Sequence, residues 1–146
     1  MSSVAPTASG VAVIPTYHPA VTLIARVLMA AIFIIFGVRK ILAFAFYAGY
    51  FAKLGFPAPE AMVVLAILIE IGGGLAFAIG WQTRWTAWLL ALYTVIATFM
   101  AHRYWDFGDA AQYANQMSHF WKNITIVGGL MMVAVFGPGP ISVDKR

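Results

Sequence analysis

Four stretches of this chain, at about 22–40, 60–80, 84–104 and 119–137, stay apolar for close to the length that a helix needs to cross hydrocarbon, about 20 residues for about 30 Å. Inside a bilayer the backbone polar groups must be bonded within the segment itself, so each stretch is expected as an α-helix. The expected fold is therefore all-α, an integral membrane four-helix bundle. Composition agrees: 62% of the 146 residues are hydrophobic and 10% are charged, against roughly half and a quarter in soluble domains. A single soluble core could not hide that much apolar surface at this length. Disorder, coiled coil and collagen are excluded on the same ground. The chain has no Cys, which removes disulfides, thiolate metal sites and thiol redox chemistry performed by the chain itself. A net charge of +4 in so small a membrane protein reads as topology signals and not as nucleic-acid binding.

Residues 1–20 are rich in Ser, Ala, Pro, Thr and Gly and read as a flexible tail, with no basic region ahead of an apolar one to suggest a cleaved signal peptide. Residues 21–146 form the membrane domain. After the first span, which ends at Arg39-Lys40, the aromatic-rich piece ILAFAFYAGYFAKLGFP is too short to cross again and is expected as a short helix at the interface or bent back into it. Pro59-Glu60 opens the second span. The loop Gly80-Trp81-Gln82-Thr83 is short enough to force the third span antiparallel to the second. The polar segment 105–118 is read as a loop, and Pro138 and Pro140 stop the fourth span. Four spans put both termini on one side. Arg26, Arg84, Lys145 and Arg146 favour the cytoplasm for that side, although Arg39, Lys40 and Lys122 reverse the count if they behave as loop residues. Gly73-Gly74-Leu75 and Gly128-Gly129-Leu130 echo each other, as a duplicated hairpin or as small residues used twice for close packing.

Depth reckoning at about 1.5 Å per residue from a common loop-side boundary sets Lys40 and His102 roughly 3 Å inside it, Lys122 and Asn123 roughly 5 Å, and Glu70 roughly 16 Å. An ionised carboxylate at that depth costs a few kcal/mol unless protonated, paired or wet. In the third span Ala87, Ala91, Thr94, Thr98 and His102 form a small and polar stripe, and in the second Ala66, Glu70, Gly73 or Gly74 and Phe77 do the same. Facing inward, these stripes would line a pocket with Lys40, Glu70, Thr98, His102, Lys122 and Asn123. A buried Glu with a nearby His suits proton transfer, making Glu70 and His102 the candidate catalytic pair, with Lys40, Thr98, Lys122 and Asn123 as candidate ligand-binding residues. The alternative is structural: Glu70 pairs with Lys40 or Lys122 and fixes helix register. No metal site is expected, and His102 with His119 makes a poor haem ligand set without any Cys. At the opposite face Arg84 and Asp144 form a candidate clamp for the C-terminal segment, or two solvated charges of little weight.

Gly37-x-x-Lys40, Ala52-Lys53-Leu54-Gly55-Phe56-Pro57, Ile69-Glu70-Ile71-Gly72-Gly73-Gly74, Thr83-Arg84, Ala97-Thr98-Phe99-Met100-Ala101-His102, Lys122-Asn123, Gly128-Gly129-Leu130, Gly137-Pro138-Gly139 and Ser142-x-Asp144 occur in this order over residues 22–146. Together they resemble the DoxX family of small integral membrane proteins. The resemblance implies a four-helix bundle in the bacterial inner membrane. Because some members are linked to thiosulfate:quinone redox chemistry, it also implies a quinone-contacting membrane component of a redox complex, with partner redox subunits. A non-catalytic scaffold or binding subunit is the alternative. A small-solute carrier is a third class, which would need a homo-oligomer to enclose a path.

Overall fold

The computed structural model describes residues 18–144. Among the described residues the regular structure is helical: α1 (Pro19–Leu42), α2 (Phe44–Lys53), α3 (Pro59–Ile79), α4 (Thr83–Ala101, followed by a single 3-10 turn at Tyr104–Asp106) and α5 (Ala110–Phe136). All but α2 are long and apolar enough to cross a membrane. The expected N-terminal tail lies, for residues 1–17, outside the described residues. Helix α1 starts at Pro19, with the His18 ring accepting the Ala20 amide at 3.3 Å as its cap.

The last span is longer than its apolar part. Residues 110–118, read from their polarity as loop, are the first turns of α5. Asp109 caps this helix by accepting the Ala111 amide at 3.2 Å, and Ala, Gln and Met are strong helix formers that hold it without an apolar face. Polarity marked where the hydrocarbon ends, not where the helix does.

Glycines set the register between α1 and α3. A Cβ added at Gly37 would lie 2.5 Å from the Ile71 side chain, and one at Gly74 would lie 2.9 Å from Ile34 and 3.4 Å from the Ala30 carbonyl. In lipid such close backbone approach holds helices together through dispersion contacts. Gly73 likewise receives Leu90, and Gly129 receives Met29, whereas Gly128 meets nothing. The Gly-Gly-Leu echo is thus explained by packing at three of its four glycines. The core between α1, α3, α4 and α5 is built from Ala30, Phe33, Phe77, Ala87, Leu90, Ala91, Leu130 and Ala134. Large apolar residues such as Leu28, Leu92 and Phe136 point outward, as a lipid solvent allows.

At the face holding the α3–α4 loop, the C-terminal segment folds back under the bundle. The buried Arg26 guanidinium donates to the carbonyls of Ala78 (3.1 Å), Ile141 (2.7 Å) and Pro138 (2.5 Å). Val143 and Asp144 donate their amides to Ile79 and Gly80. The expected Arg84–Asp144 clamp is replaced by another arrangement. Asp144 accepts from the amides of Gln82 (2.9 Å) and Thr83 (2.8 Å) and from the Thr83 hydroxyl (2.8 Å), so its carboxylate caps α4. Arg84 is exposed and makes no ion pair among the described residues. The unpaired amides at a helix start are the better partner, because they cannot turn to water once the segment covers them.

If Gly37 sets the α1–α3 distance, Gly37→Leu should lower the unfolding midpoint in detergent by the equivalent of about 1–3 kcal/mol, the usual cost of overpacking, while Gly128→Leu should leave it nearly unchanged. Equal effects at the two positions would argue against a glycine-set contact.

Candidate functional site

The same register decides where Lys40 goes. With Gly37 against Ile71 and Gly74 against Phe33, the end of α1 stops partway along α3, and α2 packs beside the first part of α3. Lys40 is therefore level with Glu70 and not near the loop-side boundary, which corrects the depth reckoning. That reckoning assumed that α1 runs the full thickness.

Both side chains are buried, and the Lys40 ammonium lies 2.8 Å from each Glu70 carboxylate oxygen. The ammonium also sits 5.1 Å above the Tyr47 ring and 5.8 Å from that of Phe36, so its remaining direction faces aromatic π clouds. Tyr93 of α4 donates its hydroxyl to Glu70 Oε1 at 2.6 Å, a charge-assisted bond of the short, strong kind. A neutral assembly of one cation, one anion and one phenol thus sits where an isolated charge would be expelled. The local backbone is unusual as well. Leu68–Gly73 forms a π turn around Glu70 that runs into the glycines Gly72-Gly73-Gly74. Such wide turns inside α-helices recur at functional sites.

This triad closes one end of a cavity of about 640 Å³ enclosed by α1–α5. Its walls are apolar and aromatic, with Phe46, Tyr47, Tyr50 and Phe51 from α2 and Met62, Leu65 and Ile69 from α3. Burial pushes the Tyr50 phenol above its ordinary range, so it joins the wall uncharged. Leu92 and Ile96, exposed on the outer side of α4, line it too, so the cavity opens sideways within the spans. At the loop end His102, His119, Lys122 and Asn123 form the rim. There the His102 and His119 rings stack with centroids 5.1 Å apart. His102 Nδ1 bonds Gln116 Oε1 at 2.8 Å and Lys122 Nζ donates to His119 Nδ1 at 3.1 Å.

Of the residues expected from sequence, Lys40 and Glu70 meet directly, while His102, Lys122 and Asn123 share the cavity at its other end. Thr98 does not belong. It is fully buried, donates its hydroxyl to the Thr94 carbonyl at 2.6 Å, and takes no part in the lining. A helical Thr with no polar neighbour bonds back to its own helix, and Thr94 does the same to Leu90 although it reaches the cavity. Tyr93, Tyr47, Gln116 and the pairing role of His119 were missed. Tyr93 carried the best available signal, a phenol in the middle of an uncharged span. Gln116 was hidden by the reading of 105–118 as loop.

Four crossing helices closed around a buried, internally neutralised ion pair define a small polytopic membrane protein with an apolar cavity. The chain belongs to the DoxX family, whose pattern matches residues 21–103. It is similar to inner membrane protein YphA of Escherichia coli, with 39% identity over 130 residues, covering 88% of this chain and 91% of that protein. It is also similar to inner membrane protein YqjF of the same organism, with 39% identity over 123 residues, 84% of this chain and 88% of that one. A more distant likeness is to the ER-derived vesicles protein ERV29 of Saccharomyces cerevisiae, 29% identical over 114 residues, 78% of this chain but 34% of that protein. No solved structure matches. The protein is an integral inner-membrane member of the family.

Removing one partner of the ion pair strands a buried charge. Lys40→Met and Glu70→Leu should each cost about 3–5 kcal/mol of stability, while the double substitution should recover most of the loss. Reversible unfolding of the wild type and the three variants in mixed micelles measures this coupling. Simple additivity would mean that the two charges are stabilised separately.

Proposed function

We propose that the cavity receives the ring of a quinone and that the protein is the quinone-contacting membrane component of a redox complex. The observation that carries this reading is an aromatic-walled cavity, open sideways within the spans, that ends on Lys40, Glu70 and Tyr93. Its size lies within the range of small-molecule sites, roughly 300–1,000 Å³, and its few convergent polar groups in an apolar lining are what fix a flat amphipathic ring. A bound quinone supplies the electron-carrying chemistry, and partner redox subunits supply the electrons, since the chain has no Cys and no group of three or more metal-ligating side chains among the described residues. The chain's own part is positioning and proton handling. Lys40, with one N–H beyond its two bonds to Glu70, is the donor at the closed end, Tyr93 holds the Glu70 carboxylate in place, Glu70 is the group there that can hold or release a proton, and His102 at the rim stands on the path between it and the loop side. The positive charges counted in the sequence, Arg26, Arg84, Lys145 and Arg146, favour the cytoplasm for the side of both termini.

One observation favours the structural alternative, in which the polar cluster only fixes helix register in a scaffold subunit. Among the described residues no buried side-chain nitrogen or oxygen lacks a hydrogen-bond partner, so the triad is complete without a ligand.

Binding of a short-chain quinone analogue to the purified protein separates the two. It should weaken by about tenfold or more on Glu70→Gln or Tyr93→Phe, the effect of removing one hydrogen bond to a charged group. No binding by the wild type, or binding unchanged in both variants, would leave the scaffold reading in place.

A further inference from the structure

The rim of the cavity holds a charge that the triad does not use. Lys40 is neutralised by Glu70, Arg103 lies 2.9 Å from Asp106, and Arg26 is taken up by three carbonyls. Lys122 has no carboxylate partner among the described residues. It is bonded to His119 Nδ1. An ammonium can only donate, so His119 Nδ1 must accept, which fixes the ring proton on Nε2 and makes the imidazole a second donor. The same argument at His102, whose Nδ1 meets the Gln116 Oε1 acceptor, puts that ring's proton on Nδ1. Asn123 adds an amide beside them.

The surroundings say where this donor group sits. Phe120 packs edge-on against Tyr104, Trp105 and Trp121, all within 5.8 Å between centroids, and Trp and Tyr gather at the headgroup level of membranes. Three nitrogen-bearing groups of this kind, with no carboxylate paired to them among the described residues, suit a compact oxyanion. Basic recesses between spans at this depth hold anionic headgroups.

We propose that His102, His119, Lys122 and Asn123 form a site for a phosphate group, carried either by an anionic phospholipid or by free phosphate. Lys122 supplies the charge, and His119 and Asn123 supply directed donors. The stacked His102 ring closes the site on the α4 side. The site is independent of what occupies the deeper end of the cavity, since the triad is not among its ligands.

The test uses the full chain in nanodiscs of phosphatidylcholine doped with phosphatidylglycerol, with retained lipid counted by native mass spectrometry. Phosphatidylglycerol should be enriched on the wild type, and Lys122→Met or His119→Phe should reduce that enrichment about tenfold. Lys122→Arg should keep it, and Arg84→Gln, at the far face, should not alter it. Inorganic phosphate is the second probe: displacement of the lipid together with shifts of the His102 and His119 ring resonances identifies free phosphate as a ligand. Enrichment without competition identifies the headgroup. Equal lipid counts for wild type, Lys122→Met and His119→Phe, or no response of the wild type to either probe, would overturn the site. Lys122 is exposed and His119 partly so, so these substitutions leave the fold intact. Matched thermal midpoints verify that.

Discussion

A carboxylate and an ammonium cannot stay ionised in hydrocarbon unless each finds the other, and that condition organises this bundle. Lys40 and Glu70 meet only because α1 and α3 approach closely enough at Gly37 and Gly74 for the end of one helix to reach the middle of the other. Tyr93 then ties α4 to the same carboxylate. Three of the four spans are thereby joined at a point where misregister by one residue would expose a charge to lipid. An ion pair of this kind contributes specificity more readily than net stability.

The opposite face solves a different problem by different means. There the difficulty is a set of backbone groups, the carbonyls in the last turn of α3 and after α5 and the amides opening α4, that would be covered without partners. Arg26 meets the carbonyls and Asp144 the amides. The terminal face and the middle of the bundle are each held by one charged residue of α1, Arg26 and Lys40, each aimed inward and each satisfied within the described residues.

Much of this was readable beforehand because a membrane enforces simple rules. Span number, the antiparallel pairing forced by the Gly80–Thr83 loop and the inward stripe through Glu70 follow from length and periodicity alone. What was not readable depended on where helices start and stop relative to one another. Lys40 is read from sequence as near the surface because the end of the first span is equated with the edge of the membrane, whereas α1 ends at Leu42 beside the middle of α3. At Thr98, polarity on an inward stripe suggests a ligand-facing role, but the helix's own carbonyl at Thr94 satisfies the hydroxyl. Asp144 was matched to a nearby charge when the stronger demand came from backbone amides. The π turn at Leu68–Gly73 had no sequence marker beyond its glycines.

The sideways opening of the cavity past Leu92 and Ile96 fixes how any apolar occupant must arrive. Such a molecule partitions into the bilayer first and then diffuses in two dimensions to the protein. Occupancy is then governed by its mole fraction among the lipids and hardly at all by its dissolved concentration. Apparent affinities would accordingly scale with the amount of lipid in the assay, and two laboratories using different lipid-to-protein ratios would obtain different constants for the same site.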